Sequence, residues 1–149
     1  MWQQFTEKAR LAVFFAQQEA MEFGAEKLDT EHLLLGLLHE DDWVAGRVLK
    51  GLHFTLDDIR EATLLQITPV AFSPTRSNDM GVTPQAKNAL DFAVEEAERI
   101  KNAYVGTEHL LLGLIREDEG IAGRVFAQLG IQLEPVREFV EKLQDRPPA

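Results

Sequence analysis

The chain is written twice. Residues 6–65 align with residues 83–142 without a gap, at a constant offset of 77, and 25 of the 60 aligned positions are identical. Unrelated segments of that length share only a few. The longest shared run is Thr30-Glu31-His32-Leu33-Leu34-Leu35-Gly36-Leu37, which recurs unchanged as Thr107-Glu108-His109-Leu110-Leu111-Leu112-Gly113-Leu114. Ala45-Gly46-Arg47-Val48 returns as Ala122-Gly123-Arg124-Val125. A unit of this size has a marginal core, so two copies are expected to pack together and bury their apolar faces jointly. The expected organisation is one double domain over 1–149, with repeat one at 1–66, a connection at 67–82 and repeat two at 83–146. Pro69, Ser73, Pro74, Ser77, Asn78 and Gly81 break the periodicity of the connection.

Each copy reads as four helices, and no segment keeps period-two alternation, so the expected fold class is all-α. Ala12, Val13, Ala16, Ala20 and Phe23 follow helical spacing, and Ala89, Leu90, Ala93, Ala97 and Ile100 repeat it. Thr6 and Thr83 stand just ahead of these first helices, where a hydroxyl caps free backbone N–H groups; Pro84 takes the favoured first helical position. Thr30 and Thr107 are placed similarly before the second helices. Third helices are expected near 43–51 and 120–128, with Gly51 and Gly130 near their stops. Thr55 with Asp58 resembles a cap with an acidic third residue, opening a fourth helix to about Gln66 whose counterpart ends before Pro147. The alanines of the first helices imply close approach to a neighbouring helix, for which the other copy is a candidate.

Composition narrows the function. With 25 acidic against 15 basic residues the net charge is -10, which disfavours phosphate backbones and anionic lipid surfaces; no nucleic-acid or membrane partner is expected. Partners that present cations fit better. The absence of cysteine removes disulfides, thiol catalysis and cysteine-ligated zinc. Residues 1–23 carry Glu7, Lys8, Arg10, Glu19 and Glu22 and lack the apolar core of a signal peptide or membrane span, so a soluble, cytoplasmic protein is expected.

Two duplicated pairs stand out beyond the apolar identities: Thr6/Thr83 and Glu31/Glu108. As structure, they are caps and favourable charges at positive helix ends. As a site, a helix N-terminus with a threonine hydroxyl binds an anion, and a nearby carboxylate binds a guanidinium or ammonium. Such a site is bipolar. The duplicated His32/His109 lacks a second ligand at helical spacing, and a buried or capping role fits better than a metal or general-base role. His39 faces Arg116 in the alignment and His53 faces Gly130, so His53 is expected to be exposed and incidental. Arg47/Arg124 is expected to pair with an acidic residue of its own unit. No HExxH, GxSxG, P-loop or GxGxxG occurs, and no catalytic residue, metal or cofactor is expected.

The pairing of F-T-E-K-A (Phe5–Ala9) with D-T-E-H-L-L-L-G-L-L-H-E (Asp29–Glu40), and of T-P-Q-A-K (Thr83–Lys87) with V-G-T-E-H-L-L-L-G-L-I-R-E (Val105–Glu117), resembles the Clp repeat domain. This is the double-repeat N-terminal domain of Clp/Hsp100 AAA+ unfoldases, and the likeness is to the ClpC type. The resemblance covers essentially the whole chain. It implies an eight-helix globule with pseudo-twofold symmetry, mounted on an AAA+ ring, that receives substrate proteins and adaptor proteins for unfolding and degradation. The alternative is a stand-alone protein of the same fold, acting as a regulator or an adaptor-like binding module. It also implies phosphoarginine binding at two equivalent places, where the threonine opening helix 1 contributes to the phosphate site and the glutamate of the GTEH motif takes the guanidinium. Carried over, these are Thr6 with Glu31 and Thr83 with Glu108.

The sequence departs from that pattern in three ways. Asp29 replaces the family glycine, adding negative charge where a phosphate should dock. Gln85 stands where the family commonly has an arginine, while Lys87 is retained. Leu11, Phe14 and Met21 align with Asn88, Asp91 and Glu98, giving copy one an extra apolar stripe. Either the connection, with Ile67, Val70, Ala71 and Phe72, covers this stripe, or it meets a partner. Trp2 matches an aromatic bordering the first site in the family, and as a terminal residue it could equally anchor the chain. Trp2, Leu11, Phe14, Met21 and Lys87 are the candidate partner surface.

Overall fold

The computed structural model describes residues 2–67 and 81–144, with Trp2 by its backbone alone. Most of the expected connection, including Val70, Ala71 and Phe72, and the tail from Asp145 lie outside the described residues. Eight helices follow a 3-10 turn at Trp2–Gln4: α1 (Glu7–Glu22), α2 (Thr30–Leu37), α3 (Val44–Gly51), α4 (Leu56–Gln66), α5 (Pro84–Arg99), α6 (Thr107–Arg116), α7 (Ile121–Leu129) and α8 (Leu133–Gln144). The all-α expectation holds. Among the described residues no helix is long and apolar enough to cross a membrane.

The caps of the first helices form as the sequence implies. Thr6 and Thr83 take extended backbone angles, and each hydroxyl accepts from the N–H three residues on, Ala9 and Ala86, at 3.1 Å. The alanine stripe has a different partner from the one proposed. A Cβ at Gly36 would strike the Ala12 carbonyl oxygen and the Ala16 nitrogen, and one at Gly113 would strike Ala89 and Ala93 in the same way. Alanine and glycine therefore let the first and second helices of the same repeat touch along their backbones.

Every residue of α2 is buried, which its continuous leucine run requires, and α2 and α6 form the centre of the core. Ala12, Val13 and Leu33 of one repeat face Ala89, Leu90, Leu110 and Leu114 of the other. The outer helices cross over: α3 packs on α6 and α8, and α4 on α7. The repeats interlock rather than merely abut.

Thr30 and Thr107 are not the caps of their own helices. The N-cap residues of α2 and α6 are Asp29 and Gly106. The two hydroxyls reach across the repeat boundary instead: Thr107 accepts from Ala45 N–H at the start of α3 (3.1 Å), and Thr30 accepts from Ala122 N–H at the start of α7 (3.3 Å). Each repeat caps a helix of the other. Thr55 marks the start of α4 by its backbone, but its side chain makes no capping bond. His53 is exposed as expected, yet its backbone is not incidental, since its φ of 70° matches the 75° of Gly130 at the equivalent bend.

Two backbone crossings complete the symmetry. The strand β1 (Lys27–Leu28) pairs in parallel with β2 (Gly81–Val82), and Phe5 pairs with Val105 in the equivalent place. Such two-residue ladders are too short to show period-two alternation, so the sequence could not display them.

Candidate ligand-binding site

The crossings decide which threonine meets which glutamate loop. Thr6 N–H donates to the Val105 carbonyl (2.9 Å), immediately before Gly106-Thr107-Glu108. Thr83 N–H donates to the Leu28 carbonyl (2.9 Å), immediately before Asp29-Thr30-Glu31. The pairing expected from the sequence, Thr6 with Glu31 and Thr83 with Glu108, is thus exchanged: each site draws its threonine from one repeat and its glutamate loop from the other. Linear proximity within a repeat could not show this, because the parallel crossings create it.

In the site that contains Gly106, the residue at the start of α6 carries no side chain. The Glu108 carboxylate, with its side chain 15% exposed, folds over Gly106 so closely that any Cβ there would collide with Oε1. His109 braces the turn beneath. Its Nδ1 accepts from Gly106 N–H (2.9 Å), and its Nε2 lies 2.9 Å from Asn102 Oδ1. Burial lowers the His109 pKa, outweighing the nearby Glu108 and Glu96 charges, and a neutral ring satisfies both contacts.

The site that contains Asp29 is built differently. Asp29 Oδ1 accepts from the Thr83 hydroxyl (2.8 Å) and from Thr30 N–H (2.7 Å). His32 Nδ1 accepts from Asp29 N–H (3.0 Å), and burial pushes its pKa down to about 4. Because residue 29 has a Cβ, Glu31 cannot adopt the pose of Glu108. It is instead 9% exposed, and among the described residues its Oε1 has no hydrogen-bond partner. Burial raises its pKa, and the Asp29 charge adds to the rise; a backbone hydrogen bond and the Arg124 charge oppose it.

That influence of Arg124 corrects another expectation. Arg47 and Arg124 are exposed, neither forms an ion pair among the described residues, and Arg124 acts on a carboxylate of the opposite repeat. Of the candidate partner surface, Leu11, Phe14 and Met21 are exposed, Phe14 to 50%, and Arg10, Val13, Phe14 and Gln17 line a shallow groove of about 230 Å³. Lys87 pairs with Asp91 one helical turn on (3.2 Å). The Trp2 side chain lies outside the described residues. Among the described residues, no three His, Asp or Glu side chains gather to hold a metal ion. What the described residues bring together here is helix starts, hydroxyls and carboxylates arranged in pairs.

Comparison with known proteins bears on this arrangement. The profile of the Clp repeat (R) N-terminal domain matches residues 4–128 and 81–149. The chain is 39% identical over 143 residues to a chaperone protein ClpB from Oceanobacillus iheyensis, and 37% identical over 143 residues to the negative regulator of genetic competence ClpC/MecB of Bacillus subtilis. Each alignment covers 96% of this chain and 17% of the relative, so the chain spans about a sixth of their length. Among solved structures, the N-terminal domain of the caseinolytic protease associated chaperone ClpD from Arabidopsis thaliana superposes with a TM-score of 0.74 at 34% identity, covering 97% of this chain and 100% of that one. With the family profile, the relatives and the fold in agreement, the chain belongs to the Clp repeat N-terminal domain family.

Proposed function

We propose that this chain is a non-catalytic recognition domain of a ClpC-like, ATP-dependent unfoldase of the cytoplasm, receiving substrate proteins and adaptor proteins for an AAA+ ring. The observation that carries the proposal is the pair of composite helix starts, each joining a cap threonine to a GTEH-type loop across the repeat boundary. A hydroxyl and free amides favour an anion, and a carboxylate at the same place favours a cation, so a ligand bearing both signs fits best. Phosphoarginine is such a ligand. The site with Thr6, Gly106 and Glu108, where no side chain takes the place of Asp29, is the competent one, and its glutamate reads the guanidinium while the start of α1 holds the phosphate. The exposed stripe of Leu11, Phe14 and Met21 is the surface that meets adaptors or unfolded segments. Isothermal titration with free phosphoarginine tests the site. Binding that weakens at least about tenfold in Glu108→Ala supports the proposal, in line with loss of a charge-assisted hydrogen bond. No heat with the wild type, or the same heat with the variant, overturns it.

A further inference from the structure

The two composite sites differ at one position, Asp29 against Gly106, and that exchange alters what each can hold. A phosphate arriving at the start of α5 needs the Thr83 hydroxyl as a donor, but that hydroxyl is already given to Asp29 Oδ1. The same oxygen accepts from the first N–H of α2. Asp29 is therefore a built-in anion occupying the donors that an incoming anion would use, and its charge repels a second one. What the site leaves unsatisfied is an acceptor. Glu31 is nine-tenths buried, and its Oε1 has no hydrogen-bond partner among the described residues, a costly state for a carboxylate. Asp29 lies close enough to act on the Glu31 charge, while Arg124 acts on it through space without forming an ion pair. Two carboxylates two residues apart, with one Glu31 oxygen left without a donor, complement a flat cation with several N–H groups better than a point charge.

We propose that the site of Asp29, Glu31 and Thr83 binds an unphosphorylated guanidinium, that of an ordinary arginine side chain in a substrate or adaptor, while the site of Thr6, Gly106 and Glu108 takes the phosphorylated form. The second half rests on the function proposed above; the first does not. The domain thereby carries one reader for each state of the same residue. A chain presenting both an arginine and a phosphoarginine is held at two points, and one presenting arginine alone is held at one.

Nuclear magnetic resonance titration of the chain tests this, using Nα-acetyl-arginine amide and phosphoarginine as separate probes. The arginine amide is expected to shift the backbone signals of Thr30, Glu31 and His32, and Glu31→Gln should weaken that binding about tenfold or more. Phosphoarginine is expected to shift Thr107, Glu108 and His109 and to leave Thr30–His32 in place. Asp29→Gly should open the first site to phosphoarginine. The proposal is overturned if arginine amide does not move Thr30–His32, if Glu31→Gln binds it unchanged, or if phosphoarginine fills both sites of the wild type alike. Equal shifts with Nα-acetyl-lysine amide overturn the guanidinium assignment. If phosphoarginine moves neither site while arginine amide still moves Thr30–His32, the phosphoarginine reading fails and the arginine site stands.

Discussion

Glu96 in α5 and Glu19 in α1 occupy equivalent positions, yet their surroundings have little in common. Glu96 is 1% exposed and gathers Arg137 (2.7 and 2.9 Å), Arg116 (3.1 Å) and Arg99 (3.4 Å) around one carboxylate. Burial alone would raise its pKa, but the hydrogen bond and charge of Arg137, with Arg99 and Arg116, outweigh it and hold the carboxyl below the usual range. Glu19 is half-buried, and the counterparts of the three arginines are Arg60, His39 and Glu22. Arg60 donates to the Leu38 carbonyl (2.7 Å), and His39 stacks on Phe15 with ring centroids 3.5 Å apart. Arg116 keeps the same stacking place, 4.2 Å over the Phe92 ring. One backbone plan is thus fastened by a charge cluster in repeat two and by aromatic contact in repeat one. The surfaces differ in the same sense: Leu11, Phe14, Met21, Leu64 and Leu65 are exposed in repeat one, where repeat two has Asn88, Asp91, Glu98, Glu141 and Lys142.

The largest effect should come from the charge cluster. Glu96→Gln is expected to cost about 3 kcal/mol near neutral pH, because the half-buried Arg116 and Arg137 and the exposed Arg99 lose the buried carboxylate they share. Glu19→Gln should stay within about 0.5 kcal/mol. Urea denaturation measures both, and equal losses would break the comparison. The pH dependence sharpens it. A carboxyl whose pKa is lowered by folding contributes stability that is present above the unfolded value and lost as pH falls through the folded one. The gap between wild type and Glu96→Gln should therefore close in acid.

The exchanged caps come next. Thr107→Val is expected to cost about 1 kcal/mol and, by hydrogen exchange, to loosen the first turn of α3, which belongs to the other repeat. Thr30→Val should do the same to α7. Loosening confined to the repeat that carries the substitution would contradict the crossed hydrogen bonds. The smallest effect on stability belongs to the apolar stripe: Phe14→Asp and Asp91→Ala should each stay within about 0.5 kcal/mol. Sedimentation and adaptor pull-down should nevertheless separate them, with Phe14→Asp changing association and Asp91→Ala leaving it alone. Negligible effects of both would leave the stripe without a partner.

The helices, the caps at Thr6 and Thr83, and the duplicated Thr and Glu pairs were legible because helical periodicity and capping are local and the repeat displays them twice. The failures that bear on the candidate site were contacts between copies. Thr30 and Thr107 satisfy the local rule for a cap and still serve elsewhere, since Asp29 and Gly106 take the cap positions and the hydroxyls are free to cross. The glutamates were assigned to the wrong threonines because sequence numbering orders residues within a repeat, while Phe5–Val105 and Leu28–Val82 pairing orders them across it. Asp29 was visible as a departure from the family, but its bond to Thr83, 54 positions away, was not. Helix spacing carries no record of such a crossing.

A two-way trade of caps between like units is the geometry of a symmetric dimer, in which any change to one face appears at once on both. Holding both units in a single chain keeps the trade and lifts that restriction. Thr30 and Thr107 remain identical because each still has a helix to close. Asp29, by contrast, stands in one loop while Gly106 stands in the other, an arrangement in which one member of a matched pair is free to change without disturbing its twin.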